Sequence, residues 1–376
     1  MDKEKRYVGC LVGGAIGDAM GYPIEFMKEY QIKAKYGLVK SFVGKPLISD
    51  DTQMTLYTAT GLLTGLTRTT VRGVGDITDS MYVYYSYRNW YELQEGLPVK
   101  YGYSFLKNIP EANKNRAPGN TCLSALGTAY ENPELCGRVN KPLNTSKGCG
   151  GVMRVAPVGL FFSRFVEATP ELVAQCGANV GAITHGHSMS HMSSAYLSCL
   201  VYFLARGKEL DESVEQTNSV ISELFKSDKH VKEFEKIMQK AIELAKNNEN
   251  DLDSIHQLGE GWIAEEALAI ALYCALKHRD SFVDAIAASI NHNGDSDSTG
   301  AICGNILGAY LGIDEILNQF PEGKNVELYE LITEIASDLS KECPDNGYDK
   351  SDRYWDSKYL EFTCALNDIK QYKNKR

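Results

Sequence analysis

Glycine recurs at four-residue spacing twice in this chain: Gly9, Gly13 and Gly17 near its start, and Gly300, Gly304 and Gly308 late in the sequence. In a helix interior each glycine costs about 1 kcal/mol against alanine. Three on one face therefore need a compensating reason. The spacing predicts two helices, each with a face where another backbone packs closely, both central and adjacent to one another. Small residues filling a tight core would produce the same stripe.

The rest of the chain is also dominated by helical periodicity. Leu172, Cys176, Val180 and Ile183 recur at three- and four-residue steps, as do Met189, Met192, Tyr196, Cys199, Leu200 and Phe203. Val231, Phe234, Ile237, Ala241 and Leu244 make one apolar face with Lys and Glu between, the pattern of a surface helix. The stretch 262–276 is apolar almost all round and reads as a central helix. The tyrosine-rich run 81–91 has the aromatic content of a strand. Tyr84, Tyr87 and Tyr91 nevertheless share a helical face, so a helix is expected. Loops are expected at 113–121, 131–151, 246–260 and 344–352, with a basic tail that frays after about Asp368. No composition break marks a domain boundary, which predicts a single domain over 1–376.

The chain has 376 residues and a formal net charge of −10, without long Lys/Arg runs. That argues against a nucleic-acid surface. Its ten cysteines include no C-x-x-C pair and several sit in apolar helical patterns, the usage of buried thiols in a reducing compartment. No stretch reads as a transmembrane span. A cytoplasmic protein is expected.

Two acidic clusters carry the chemistry. One is Ser49-Asp50-Asp51-Thr52, the other Asp295-Ser296-Asp297-Ser298-Thr299. Both precede helical runs, so helix capping is the plain explanation of either one. Both also supply more acid than a cap needs. Together they offer hard oxygen ligands and no sulfur, the chemistry of magnesium, calcium or manganese. Four carboxylates can balance two divalent ions, which points to a two-metal hydrolytic site.

Three further segments add to this. Glu25 follows a proline turn; it matters only if the fold brings it to the metals as a base or water-positioning group. The Gly-rich stretch Lys147–Arg154 lets backbone N–H groups approach a phosphate, although it fits no nucleotide-binding signature. Arg154 is expected to pair with a phosphate or a buried acid. His187 and His191 are spaced for zinc, but no acid or cysteine ligand stands near them in sequence. A substrate-contacting histidine at the start of a helix, with the others structural, fits better.

In order, Gly13 to Asp18, Glu25, Ser49 to Thr52, Gly150 to Arg154, Thr184-His185 and Gly294 to Gly300 resemble the ADP-ribosylglycohydrolase family. That family includes the dinitrogenase-reductase-activating glycohydrolases and the ADP-ribosyl-acceptor hydrolases. The likeness spans about residues 7–312. Ser49, the Asp-Ser-Asp-Ser run at 295–298 and Arg116-Ala-Pro-Gly119 are most similar to the ADP-ribosylarginine hydrolase branch. The resemblance implies an all-α, single-domain orthogonal multi-helix bundle with a dinuclear magnesium site, manganese being the other possible metal. It implies Ser49, Asp50, Asp51, Asp295, Asp297 and Ser298 as metal ligands, and Glu25, Asp50 and Asp297 as catalytic groups. It also implies ADP-ribose contacts from Gly119, Asn120, Gly148, Cys149, Gly150, Gly151, Met153 and His185, the diphosphate being held by the backbone amides of the loop. The substrate it implies is an ADP-ribosylated protein, with ADP-ribose as product and an ADP-ribosyltransferase or toxin as a further partner. Two positions depart from the pattern. Asn293 stands where many members have glycine, which could alter the loop. Cys149 sits inside the phosphate loop, where its thiol should matter little if amides make the contacts. Hydrolysis of another ADP-ribose linkage, an immunity role against an ADP-ribosylating toxin, and ADP-ribose binding without catalysis are the other readings of the same residues.

Overall fold

The computed structural model describes residues 2–73, 75–344 and 352–373. Among these the protein forms seventeen α-helices joined by loops and short 3-10 turns, and no strand. The backbone pairings of Arg138 with Lys141 and of Gly148 with Ile263 are isolated bridges.

The two glycine stripes face each other. The first lies on the helix Lys3–Gly21 and the second on the helix Ser296–Gln319. A Cβ on Gly13 would stand 2.4 Å from the Gly304 carbonyl oxygen, and one on Gly17 only 2.0 Å from that of Gly300. Gly9 faces Gly308 in the same way, and Gly21 faces Ser296. The register is antiparallel. It places the end of the first helix, which leads into Glu25, beside the start of the helix that carries Asp297. Backbone contact at the stripe thus fixes which loops meet at the functional end.

Ser296–Gln319 is also long and apolar enough to cross a membrane by length and composition, which the sequence reading did not expect. In this fold 72% of that window is buried inside the protein. The helix bends at Gly312, whose φ of 76° lies in the left-handed region.

The helix Asp50–Arg72 starts at Ser49 and ends on Gly73 in the left-handed conformation. The tyrosine run is helical, Met81–Gln94, with Tyr84, Tyr87 and Trp90 fully buried. Pro170–Ala182, Ser188–Ala205 and Val231–Ala245 occupy the segments whose periodicity predicts them. Ala264–Lys277 is buried along nearly its whole length. One contiguous apolar core runs from Tyr7 to Ile369.

Some loop expectations change. Within 246–260, Asp251–His256 forms a short helix, capped by Asn250 and seated by the buried Ile255. Six residues are too few to show a period. The tail is helical over Leu366–Lys373 with Ile369 buried, so it does not fray at Asp368. Of the expected loop at 344–352, residues 345–351 lie outside the described residues.

Candidate functional site

Asp18 organises the first acidic cluster. It is fully buried, near the end of the first helix. Its carboxylate accepts the backbone N–H of Ser49 and of Thr52 and the Thr52 hydroxyl. Ser49 in turn caps the helix, its Oγ accepting the Asp51 N–H at 3.2 Å. The capping explanation is therefore correct for Ser49 and incomplete for the cluster, because Asp50 and Asp51 both reach the wall of a cleft.

The second cluster is held likewise. Asp295 caps its helix by accepting the Ser298 N–H at 3.3 Å, and its own N–H donates to the Glu260 carbonyl at 2.9 Å. His292 lies within hydrogen-bonding distance of the Ser289 carbonyl and the Thr299 hydroxyl. Gly294 carries the positive φ of this turn, at 126°, and Asn293 accepts the Glu29 N–H. The turn therefore needs no glycine at 293.

Between the clusters lies a cleft of about 440 Å³, within the size range of small-ligand sites. Its wall includes Glu25, Asp50, Asp51, Asp295, Asp297 and Ser298. Gly119, Asn120, Gly148, Cys149, Gly150, Met153 and His185 line it as well. Ser49 and Gly151 do not; both are buried behind it. Carboxylate oxygens of Glu25, Asp295 and Asp297 approach to within 4.8 Å of one another.

The electrostatics of this wall are one-sided. Asp18, Asp50, Asp51, Asp295 and Asp297 are each at most 5% exposed. Among the described residues none of them, nor Glu25, takes part in an ion pair. Burial, and then the charge of Asp297, push the Asp18 carboxyl up to about 7 and that of Glu25 up to about 10. Burial also drives Asp50, Asp51 and Asp297 well above the ordinary carboxylate range, with neighbouring acids adding to it. Burying ionised carboxylates without partners is expensive. Asp51 Oδ1 and Glu25 Oε2 are buried without a hydrogen-bond partner among the described residues. An oxygen-rich wall with orphaned oxygens fits hard divalent cations, which would hold these acids ionised.

Among the described residues no Lys or Arg side chain lines the cleft, and the Gly-rich loop lies beside the acids. The Gly-rich loop makes a tight turn at Cys149–Gly151. Four of its amides are already committed: Gly148 N–H to the Ser146 hydroxyl, Cys149 N–H to the Trp262 carbonyl, and Val152 and Met153 N–H to that of Cys149. Behind the loop Arg154 is wholly buried and contacts neither an acid nor the cleft, contrary to both expectations. Its guanidinium stacks 4.5 Å over Tyr87 and donates to Thr184 Oγ1 at 2.6 Å. The Thr184 hydroxyl also lies 2.8 Å from His185 Nδ1, within hydrogen-bonding distance. His185 Nε2 is on the side facing Gly148 and Gly150. Burial, and next Arg154, lower the His185 pKa to about 3, so the ring is neutral. His187 caps a helix through Nδ1, and His191 Nε2 bonds the His185 carbonyl, so the zinc spacing is used for structure.

Several features of the site were not readable in sequence. Asp18 belongs to the Gly13–Asp18 run that carries the resemblance, but nothing in its spacing shows that it holds the Ser49 loop. Cys149 Sγ donates to Asp295 Oδ2 at 2.7 Å, so its thiol contacts an acid of the expected metal set instead of being incidental. At the mouth, Phe26 stacks on Trp262 with ring centroids 5.4 Å apart, and Phe26 holds a φ of 64°. An isolated Phe and a distant Trp give no signal of such a pairing.

The sequence profile of the ADP-ribosylglycohydrolase family matches residues 1–349. An ADP-ribosyl-[dinitrogen reductase] glycohydrolase from Rhodospirillum rubrum is 23% identical over 320 residues, covering 83% of this chain and 87% of its own length. The ADP-ribosylhydrolase ARH3 of Bos taurus is 24% identical over 220 residues, covering 52% and 58%. Among solved structures, an ADP-ribosylglycohydrolase-related protein complex superposes with a TM-score of 0.59 at 22% identity, over 90% of this chain and 98% of that one. The all-α architecture, the acid-walled cleft and the profile match over nearly the whole sequence agree: this chain belongs to the ADP-ribosylglycohydrolase family.

Proposed function

We propose that this family member is a magnesium-dependent hydrolase that releases ADP-ribose from arginine side chains of modified proteins. One observation carries the reading: two acidic clusters from opposite ends of the chain share one cleft wall without any basic partner among the described residues. Asp50, Asp51, Asp295, Asp297 and Ser298 would hold two magnesium ions from the wall, with Ser49 behind it. When bound, such ions polarise hydroxyl groups and supply a nucleophilic water at neutral pH.

The chain's own groups divide the remaining work. The ribose lies against the acid wall and the diphosphate against the Gly148–Met153 loop, where the His185 ring is neutral. Cleavage of the N-glycosidic bond builds positive charge on the ribose ring, and the acid wall stabilises it. Glu25, Asp50 or Asp297 takes the proton of the attacking water. Glu25 has one oxygen orphaned among the acids and lies beside the open mouth, so it can also position the acceptor.

The arginine linkage rests on likeness at Ser49, the 295–298 run and Arg116–Gly119. The Rhodospirillum rubrum relative is named for a protein substrate, which supports a protein acceptor. Arginine-linked and serine-linked ADP-ribosyl peptides offered side by side with magnesium test it. Free ADP-ribose from the arginine peptide is expected. Cleavage of the serine peptide alone would move the chain to another linkage; ADP-ribose binding without turnover of either would make it a binding protein.

A further inference from the structure

Phe26 stands where the cleft opens, in a strained conformation. Its φ of 64° lies in the left-handed region, which bulky side chains rarely adopt. The turn that imposes it is firmly held. Met27 N–H donates to the Ile24 carbonyl at 3.0 Å, Glu29 N–H donates to Asn293 Oδ1 at 3.0 Å, and Glu29 Oε2 lies 2.8 Å from His256 Nε2. The strain separates two neighbours. Glu25 brings a carboxylate oxygen to within 4.8 Å of those of Asp295 and Asp297. The next side chain, Phe26, stacks on Trp262 instead, with ring centroids 5.4 Å apart and planes 18° apart. Trp262 is itself fixed to the Gly-rich loop, its carbonyl accepting the Cys149 N–H at 3.2 Å. Burial does not account for the stack, because Phe26 remains 69% exposed. Both rings and Glu25 line the cleft.

We infer that Phe26, backed by Trp262, is the platform on which the guanidinium of the acceptor stacks, and that it thereby favours arginine over uncharged acceptors. The inference rests on the arginine-linked function proposed above. With the ribose against the acid wall, the group on the far side of the scissile bond faces the mouth. A guanidinium is planar, always charged and weakly hydrated, and it stacks on aromatic faces. The exposed ring of Phe26 offers it such a face, one residue from the Glu25 carboxyl. A serine-linked oxygen carries no charge and gains nothing comparable there. The guanidinium is charged both before and after the bond breaks. The contact therefore holds substrate and transition state alike, and it acts on KM more than on kcat.

The test compares full-length wild type, Phe26→Leu and Phe26→Tyr with magnesium present. Hydrolysis of an ADP-ribosylarginine peptide is measured, and separately the affinity for free ADP-ribose, which lacks the acceptor. Phe26→Leu keeps apolar bulk without the ring. It should raise the peptide KM roughly fivefold, the scale of one partly exposed cation–π contact, with kcat changed by less than about twofold. Its affinity for ADP-ribose should match that of wild type. Phe26→Tyr, which keeps the ring, should lose much less. An unchanged KM in Phe26→Leu, or an equal loss in both variants, overturns this inference alone. So does a matching loss of ADP-ribose affinity, which would put the adenine on this ring. Wild type that releases no ADP-ribose from the arginine peptide overturns the proposed function and this inference with it.

Discussion

Both carboxylate oxygens of Asp18 accept the backbone N–H of Ser49, at 3.1 and 3.0 Å. The first helix thereby orients the loop that presents Asp50 and Asp51, although Asp18 does not line the cleft. Asp18 is a positioning residue, and its removal should act through the metals. Asp18→Ala is expected to weaken manganese binding by roughly 10–100-fold, the usual cost of losing an outer partner of a metal ligand. Asp18→Asn, which keeps one acceptor oxygen, should lose less. Calorimetric titration gives the affinities and far-ultraviolet circular dichroism confirms the fold. Equal affinity in wild type and Asp18→Ala would remove Asp18 from the site.

The glycine stripe gives a test in which packing and propensity predict opposite signs. Helix propensity alone makes Gly13→Ala stabilising by about 1 kcal/mol. The new Cβ would stand 2.4 Å from the Gly304 oxygen and force the helices apart. Overpacking of this kind costs about 1–3 kcal/mol. A lower urea midpoint is expected, and a raised one would show that the two backbones do not touch.

Trp262 provides an internal probe of the cleft. Of the three tryptophans, Trp90 and Trp355 are buried while Trp262 is 36% exposed. ADP-ribose entering the cleft should therefore change the fluorescence of Trp262 chiefly. Loss of its ring in Trp262→Ala should weaken ADP-ribose roughly fivefold, in line with aromatic contacts worth about 0.5–1.5 kcal/mol. A fluorescence response unchanged in Trp262→Phe would place the ligand elsewhere.

Stability should depend on pH in a direction set by the buried acids. Burial and Asp297 raise Asp18 to about 7 and Glu25 to about 10. A carboxyl raised in the folded state binds more protons there than in the unfolded chain. Its contribution is fully present below its unfolded pKa, about 4, and is lost as pH rises through the folded value. With chelator present, the urea midpoint should fall between about pH 5 and 8. Magnesium, which favours the ionised acids, should flatten that slope and stabilise most at the alkaline end. A midpoint that rises with pH in chelator would contradict an uncompensated acid cluster.

What was legible in the sequence follows from the range of each interaction. Local periodicity placed the tyrosine run in a helix because Tyr84 and Tyr87 share a buried face. The glycine stripes were open to close backbone contact or to a tight core of small residues, and the approach of Gly13 to the Gly304 carbonyl decides for contact. The acidic clusters suggested metals because Asp50-Asp51 and Asp295-x-Asp297 exceed what capping needs. The remainder depends on contacts between distant segments. Asp18 reaches Ser49 across 31 positions, Cys149 reaches Asp295 across 146, and Phe26 meets Trp262 across the mouth. Arg154 was misassigned because a Gly-rich loop suggests a phosphate, whereas the guanidinium turns inward onto Tyr87.

The central claim is that two acidic clusters, one from each end of the chain, form a single dinuclear site. The number of manganese ions bound per chain tests it most directly, measured by spin resonance on wild type and on Asp50→Asn and Asp297→Asn separately. Two ions in wild type, with spin coupling between them, and loss of at least one ion in each variant are the expected result. A single ion, or two ions of which neither responds to one of the substitutions, would show that the clusters are not one site.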